Sequence, residues 1–219
     1  MPEAADLDAS PQNCYVFDMK RRYVALIVVA AVAAAALSAY RYYAGSYNQM
    51  VSLGESVDSR WAQVENQYQR RLDLIPNLVA TVKGYAAHET DVFTRVAEAR
   101  AKAGGVMQVS SDILSDPDAF RRFQQAQAEL SGSLQRLLAV AESYPELHAS
   151  ESFLALQDQL EGTENRISVE RNRFNEAVRA YNTFIRQFPR SLIAGSAGFA
   201  ARSYFQADAE ASRAPSVAF

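Results

Sequence analysis

Phe153, Leu160, Ile167, Phe174, Tyr181 and Phe188 fall seven residues apart. A helix turns every ~3.6 residues, so this interval brings all six to one seam. A seam of large apolar groups has to be buried against other helices, as in coiled coils. Val178, Phe184 and Ile185 widen it toward its end, and Pro189 closes it. An element this long and this regular leaves little room for a strand-and-turn fold. The 9 Gly and 7 Pro are sparse enough that long stretches contain neither, which also suits long helices.

Three further stretches repeat apolar residues at spacings of three and four. The first runs Tyr47, Val51, Val57, Trp61, Val64, Tyr68, Leu72 and Ile75. The second begins near Pro76, runs through Leu78, Val82, Tyr85, Val92, Val96, Ala99 and Ala103, and is expected to stop at Gly104-Gly105. Ser115-Asp116-Pro117-Asp118 reads as a cap and helix start for the third, which carries Phe120, Phe123, Leu130, Leu134, Leu137, Ala141 and Tyr144 up to Pro145. Pro76 lacks a backbone donor and disfavours helix at Ile75, so a chain reversal is expected at Leu72–Pro76, with Asp73 able to cap a new start. None of these stripes can be buried alone. The predicted fold is all-α: an N-terminal transmembrane helix, then an antiparallel bundle of four long helices, then an irregular C-terminal tail.

The transmembrane element is the block Tyr23 to Tyr40, with 18 residues and no charge. As a helix it rises roughly 27 Å, close to the ~30 Å of a hydrocarbon core. Lys20, Arg21 and Arg22 precede it, Arg41 follows, and Tyr23, Tyr40, Tyr42 and Tyr43 stand at its ends, where amphipathic rings favour the headgroup zone. The competing readings are a signal peptide starting at Met19 and cleaved near Ala36-Leu37-Ser38, or a buried soluble helix. An uncleaved span is the expectation, because the apolar stretch is long for a signal and has no sharp polar end. The resulting division is a disordered tail at 1–19, the anchor at 20–43, the bundle at 44–189 and a tail at 190–219 that packs on the bundle or on a neighbouring subunit. The excess of basic residues before the block favours, by a single charge, a cytoplasmic N-terminus and an exported bundle.

Composition excludes more chemistry than it suggests. A net charge of −3 argues against nucleic acid as a partner, since phosphate-binding domains carry a basic surplus. Two His and one Cys leave almost no nitrogen or sulfur ligands for zinc. The Glu-x-x-His signature of di-iron bundles is absent, because Tyr85 and Pro145 stand three residues before His88 and His148. His88-Glu89 is followed by Val92 instead of a second His, and no phosphate loop, nucleophile elbow or dinucleotide fingerprint occurs. The chain is therefore expected not to be an enzyme, with no catalytic, cofactor-binding or metal residue and no cofactor. Arg71, Asp73, Glu89, Glu164 and Arg171 lie on or beside the apolar stripes and read as internal ion pairs or hydrogen bonds that set helix register. Trp61, Tyr68, Phe174 and Tyr181 read as core and not as a cofactor box.

Tyr47-Asn48 and the run R-R-L-D-L-I-P-N-L-V-A-T-V-K-G-Y-A-A-H-E (Arg70 to Glu89) resemble the core motif of the LemA family. Ile167 to Pro189 and Ser191 to Phe205, with L-I-A-G-S-A-G-F, resemble two further blocks of that family. The resemblance implies an N-terminal membrane helix and a long-helix bundle. It also implies a bacterial inner-membrane location, although the family includes descriptions with the opposite orientation to the charge count. Relatives linked to magnetosome formation imply a role in membrane organisation; others imply a sensory role. The expected function is a membrane-anchored scaffold that self-associates, on the strength of apolar tail residues Leu192, Ile193, Phe199, Tyr204, Phe205 and Phe219. The alternative is a sensory or signalling accessory. The expected partners are the lipid bilayer, further copies of the chain and an unidentified protein.

Overall fold

The structure is a computed structural model that describes residues 12–109 and 113–206, with side chains over 22–107 and 113–206. The protein is all-α: among the described residues there are six helices and no strand. They are α1 (Gln12–Tyr85), α2 (Thr90–Val109), α3 (Pro117–Ala141), α4 (Pro145–His148), α5 (Glu151–Arg186) and α6 (Arg190–Ala197). The chain divides into two compact units, 1–48 and 49–219.

In the first unit α1 begins at Gln12, inside the segment expected to lack structure; residues 1–11 of that segment lie outside the described residues. Every side chain from Arg22 to Tyr43 is exposed, including Val24, Leu26, Ile27, Val28 and Val29. Water does not tolerate such a stripe around a whole helix, whereas a bilayer requires it. This stretch is long and apolar enough to cross a membrane.

In the second unit the reversal expected at Leu72–Pro76 does not occur. Pro76 sits inside α1, and Ile75, Leu78 and Val82 continue its buried face. Proline removes the donor that would serve the carbonyl four residues back, which is Leu72. Arg100 on α2 supplies the replacement: its Nε donates to the Leu72 carbonyl at 3.0 Å. The turn falls instead at 86–89, closed by Ala86 N–H to the Val82 carbonyl (2.9 Å) and Glu89 N–H to the Ala86 carbonyl (3.1 Å). The helix likewise does not stop at Gly104-Gly105. It runs to Val109, with Val106 and Met107 half-buried against the core, and apolar packing there outweighs the ~1 kcal/mol cost of each helical glycine.

The α1 stripe is placed one residue away from the expected Val51: Met50 is buried, and Val51 is exposed, as are Tyr47 and Tyr85. On α2 the buried aromatic is Phe93, beside the half-buried Val92. Asp116 caps α3 as its sequence suggests, its side chain accepting the Asp118 N–H at 2.8 Å with Pro117 in the first turn. Five of the six heptad residues on α5 are buried; the sixth, Phe188, is 82% exposed because α5 ends at Arg186 and the backbone turns extended at Gln187.

Residues 190–197 are helical where an irregular tail was expected. Pro189 precedes α6, and Gly198 ends it at φ +78°, a left-handed conformation that glycine adopts without strain. The stretch from Phe199 to Gln206 then returns along α5. Asn182 accepts the Arg202 N–H (2.9 Å) and donates to the Arg202 carbonyl (2.9 Å); Asn175 does the same for Phe205 (2.9 and 3.1 Å). Seven helical residues rise ~10.5 Å and three extended residues span ~10 Å, so two asparagines a heptad apart match residues 202 and 205. Phe205 enters the core among Trp61, Phe120 and Phe174, at ring separations of 6.0, 5.0 and 5.5 Å. Phe219 lies outside the described residues.

Candidate functional site

The core of the second unit falls into two apolar clusters. One is aromatic and centres on Trp61, Phe120, Phe123, Phe174 and Phe205; the other is aliphatic and centres on Leu72, Ile75, Leu130, Leu137 and Leu160. Arg71 precedes Leu72 directly and is itself 1% exposed. A buried guanidinium is expensive unless its donors are met. Its Nη1 donates to Ser131 Oγ (2.9 Å) and Glu164 Oε1 (2.8 Å), its Nη2 donates to Gln127 Oε1, and its Cζ lies 5.1 Å from the Tyr68 ring centre. This layer therefore ties α1, α3 and α5 together through one side chain.

The other polar residues singled out in the sequence are placed apart. Glu89 accepts the Tyr144 hydroxyl at 3.3 Å, and burial, then the charge of Glu89, push that phenol's pKa up. Asp73 accepts from Gln69 one turn before it (2.8 Å). Glu164 and Arg171 do not pair with each other. Glu164 goes to Arg71, while Arg171 donates to the Gln206 carbonyl (3.2 Å) and stacks over Phe205 at 4.7 Å. Trp61, Tyr68, Phe174 and Tyr181 are core residues. Burial raises the Tyr181 pKa, and the Arg202 cation works against that rise.

Arg71 forms the floor of an open groove of about 500 Å³ between α3 and α5, lined also by Gln124, Gln127, Ser131, Glu164 and Arg171. The groove continues, past the shared Ser131, Gln135 and Glu164, into a second hollow of about 450 Å³ walled by Leu134, Leu138 and Leu160. Two donors in the polar half are buried without a partner, Arg71 Nε and Gln127 Nε2. The glutamine and serine lining and the two asparagine clamps were missed in the sequence. The clamps left a signal there: Phe174-Asn175 and Tyr181-Asn182 repeat the same aromatic-amide pair seven residues apart. Chemically the groove offers guanidinium, amide and hydroxyl donors and two carboxylates, Glu164 between the two hollows and Glu161 in the second. Among the described residues no group of three or more His, Cys, Asp or Glu is placed to hold a metal ion.

The chain is similar in sequence to known proteins. The chain is 27% identical over 179 residues to magnetosome proteins MamQ 1 and MamQ 2 of Paramagnetospirillum magneticum, and 28% identical over 174 residues to MamQ of Magnetospirillum gryphiswaldense. Each match covers 73% of this chain and 64% of the relative, so the chain spans a little under two thirds of the relatives' length. Residues 60–219, which hold the Arg71 layer, the α3–α5 groove and the asparagine clamps, match the model of the LemA family, and the chain belongs to that family.

Proposed function

We propose that this protein is a non-catalytic, membrane-anchored helical scaffold that self-associates at the membrane and serves in organising or remodelling it. The membrane anchor follows from the exposed apolar segment of α1. Self-association rests on one observation: Phe188 and Leu192, at the α5–α6 corner, are 82% and 67% exposed. Docking the tail through Phe205 accounts for part of the spare apolar surface; these two side chains remain outside. Large apolar groups left together on a surface are a usual mark of an interface. A single span confines copies to one plane and raises their effective concentration, which favours closed symmetric assemblies. The naming of the MamQ relatives for the magnetosome supports a role in a cellular assembly.

The test is cross-linking in native membranes. In a Cys14→Ser background, Leu192→Cys should form a disulfide-linked dimer on mild oxidation. Failure to cross-link at 192, with sedimentation as a monomer, would contradict the scaffold. We place the protein in the bacterial inner membrane with its N-terminus in the cytoplasm, on the basic residues before Tyr23. An alkaline phosphatase fusion after Phe219 should then be active. A sensory accessory is the second reading, and the buried Arg71 at the floor of an open groove is what favours it.

A further inference from the structure

We propose that the α3–α5 groove is a binding site for a small amphipathic carboxylate, its head on Arg71 and its apolar chain along Leu134, Leu138 and Leu160. The proposal is independent of the surface at Phe188 and Leu192. Three observations carry it. First, Arg71 is fixed while its carboxylate partner is free to leave: the side chains of the pair are 2% and 42% exposed. Glu164 can swing into water, whereas Arg71 cannot follow and would be left as a buried charge without an acid, so an incoming carboxylate that takes over the position Glu164 holds removes that cost. Arginine's planar fork recognises carboxylates with two parallel bonds.

Second, the site holds donors with nothing to serve. Arg71 Nε and Gln127 Nε2 are both buried and unbonded, and both belong to side chains lining the groove. The Gln127 amide accepts from Arg71 Nη2 through its oxygen, which leaves its NH2 beside the guanidinium. Buried polar atoms normally find partners, and an orphaned donor carries its full desolvation penalty. A carboxylate has the acceptor capacity that both lack. Arg171, on the same wall, faces only a neutral carbonyl and the Phe205 ring by its described contacts. The polar half therefore carries two cations against Glu164 alone, with Glu161 further along in the second hollow, so a carboxylate head is best met at the Arg71 end.

Third, the chemistry changes along the groove. The guanidinium groups lie in the first hollow, whereas the second carries Leu134, Leu138 and Leu160 along its length, with Glu161 and Asn165 on the α5 side. From Gln124 to Leu138 the groove follows ~21 Å of helix, so head and chain can be accommodated together.

Equilibrium dialysis of radiolabelled hexanoate against the full-length protein in nanodiscs, with empty nanodiscs correcting for partition into lipid, tests the proposal. The parent should bind saturably. Glu164→Gln should bind at least tenfold more tightly, because the competing carboxylate is gone. Arg171→Gln should weaken binding several-fold. Hexanamide, the neutral counterpart, should not compete, and hexanoate should raise the thermal midpoint of Glu164→Gln more than that of the parent. If Glu164 were only structural, its replacement would lower the midpoint and hexanoate would not restore it; that result overturns the proposal. So would the absence of saturable binding to both proteins, equal binding of hexanamide, or binding of an acidic peptide where hexanoate fails.

Discussion

Replacing Phe205 with alanine should undock the C-terminal segment and expose the aromatic core. The ring is 6% exposed, and its neighbours include Trp61, Phe120 and Phe174. The four asparagine hydrogen bonds that clamp Arg202 and Phe205 contribute about 1 kcal/mol each in net terms. Ordering six residues, 201–206, costs about 1–2 kcal/mol per residue, more than those bonds return. The buried ring supplies the difference, at about 3–5 kcal/mol for an aromatic truncated to alanine. Trp61 is the sole tryptophan and stacks on Phe205, so its emission reports the event directly. Urea unfolding of the full-length protein in detergent, tracked by Trp61 fluorescence, should show a loss of at most about 3–5 kcal/mol, because undocking returns the ordering entropy, and a red-shifted folded baseline. Tyr204→Ala, at a 40% exposed neighbour, should change stability by less than about 0.5 kcal/mol. An unchanged midpoint and unchanged emission for Phe205→Ala would refute the docking argument.

Phe174→Ala, at the fully buried centre of the same cluster, should cost about 3–5 kcal/mol by chemical denaturation; a parent-like midpoint would mean that the α5 seam is misassigned. Arg100→Met should cost about 1–3 kcal/mol by stranding the Leu72 carbonyl, and far less when Pro76→Ala restores a backbone donor; additive costs in the double mutant would contradict the account of the proline. The Asp116 carboxyl is held below its ordinary value of 3.8 chiefly by the backbone N–H of Asp118, then by that of Ala119. A depressed folded pKa adds stability that is present above 3.8 and is lost as the pH falls through the lower folded value. Asp116→Ala should therefore melt below the parent at neutral pH, and the gap should close in strong acid; a gap independent of pH would show that the cap carries no charge-dependent stability.

The helical character of the chain, the heptad core of α5 and the Asp116 cap were legible because each depends on residues within a few turns of one another. The features that were misread depend on distant partners. Pro76 breaks helices when its freed carbonyl has no donor, and the donor here, Arg100, comes from the next helix. The heptad was carried one step too far, to Phe188, because periodicity marks the residues that share a seam and not the point where the helix hydrogen bonds stop. The α1 stripe was placed on Val51 because aliphatic size alone does not separate it from its neighbour Met50. Arg71 was legible as a charge beside a stripe, but its burial depends on Gln127, Ser131 and Glu164 arriving from two other helices. The groove above it is a product of that assembly, and no local motif marks it.

Sedimentation velocity of the full-length protein at micromolar concentration, in detergent matched for density, reads self-association directly. The parent should sediment as a species of two or more copies that shifts toward monomer in a Phe188→Ser, Leu192→Ser double variant with unchanged helical content. A parent protein that sediments as a monomer across the concentration range would contradict self-association.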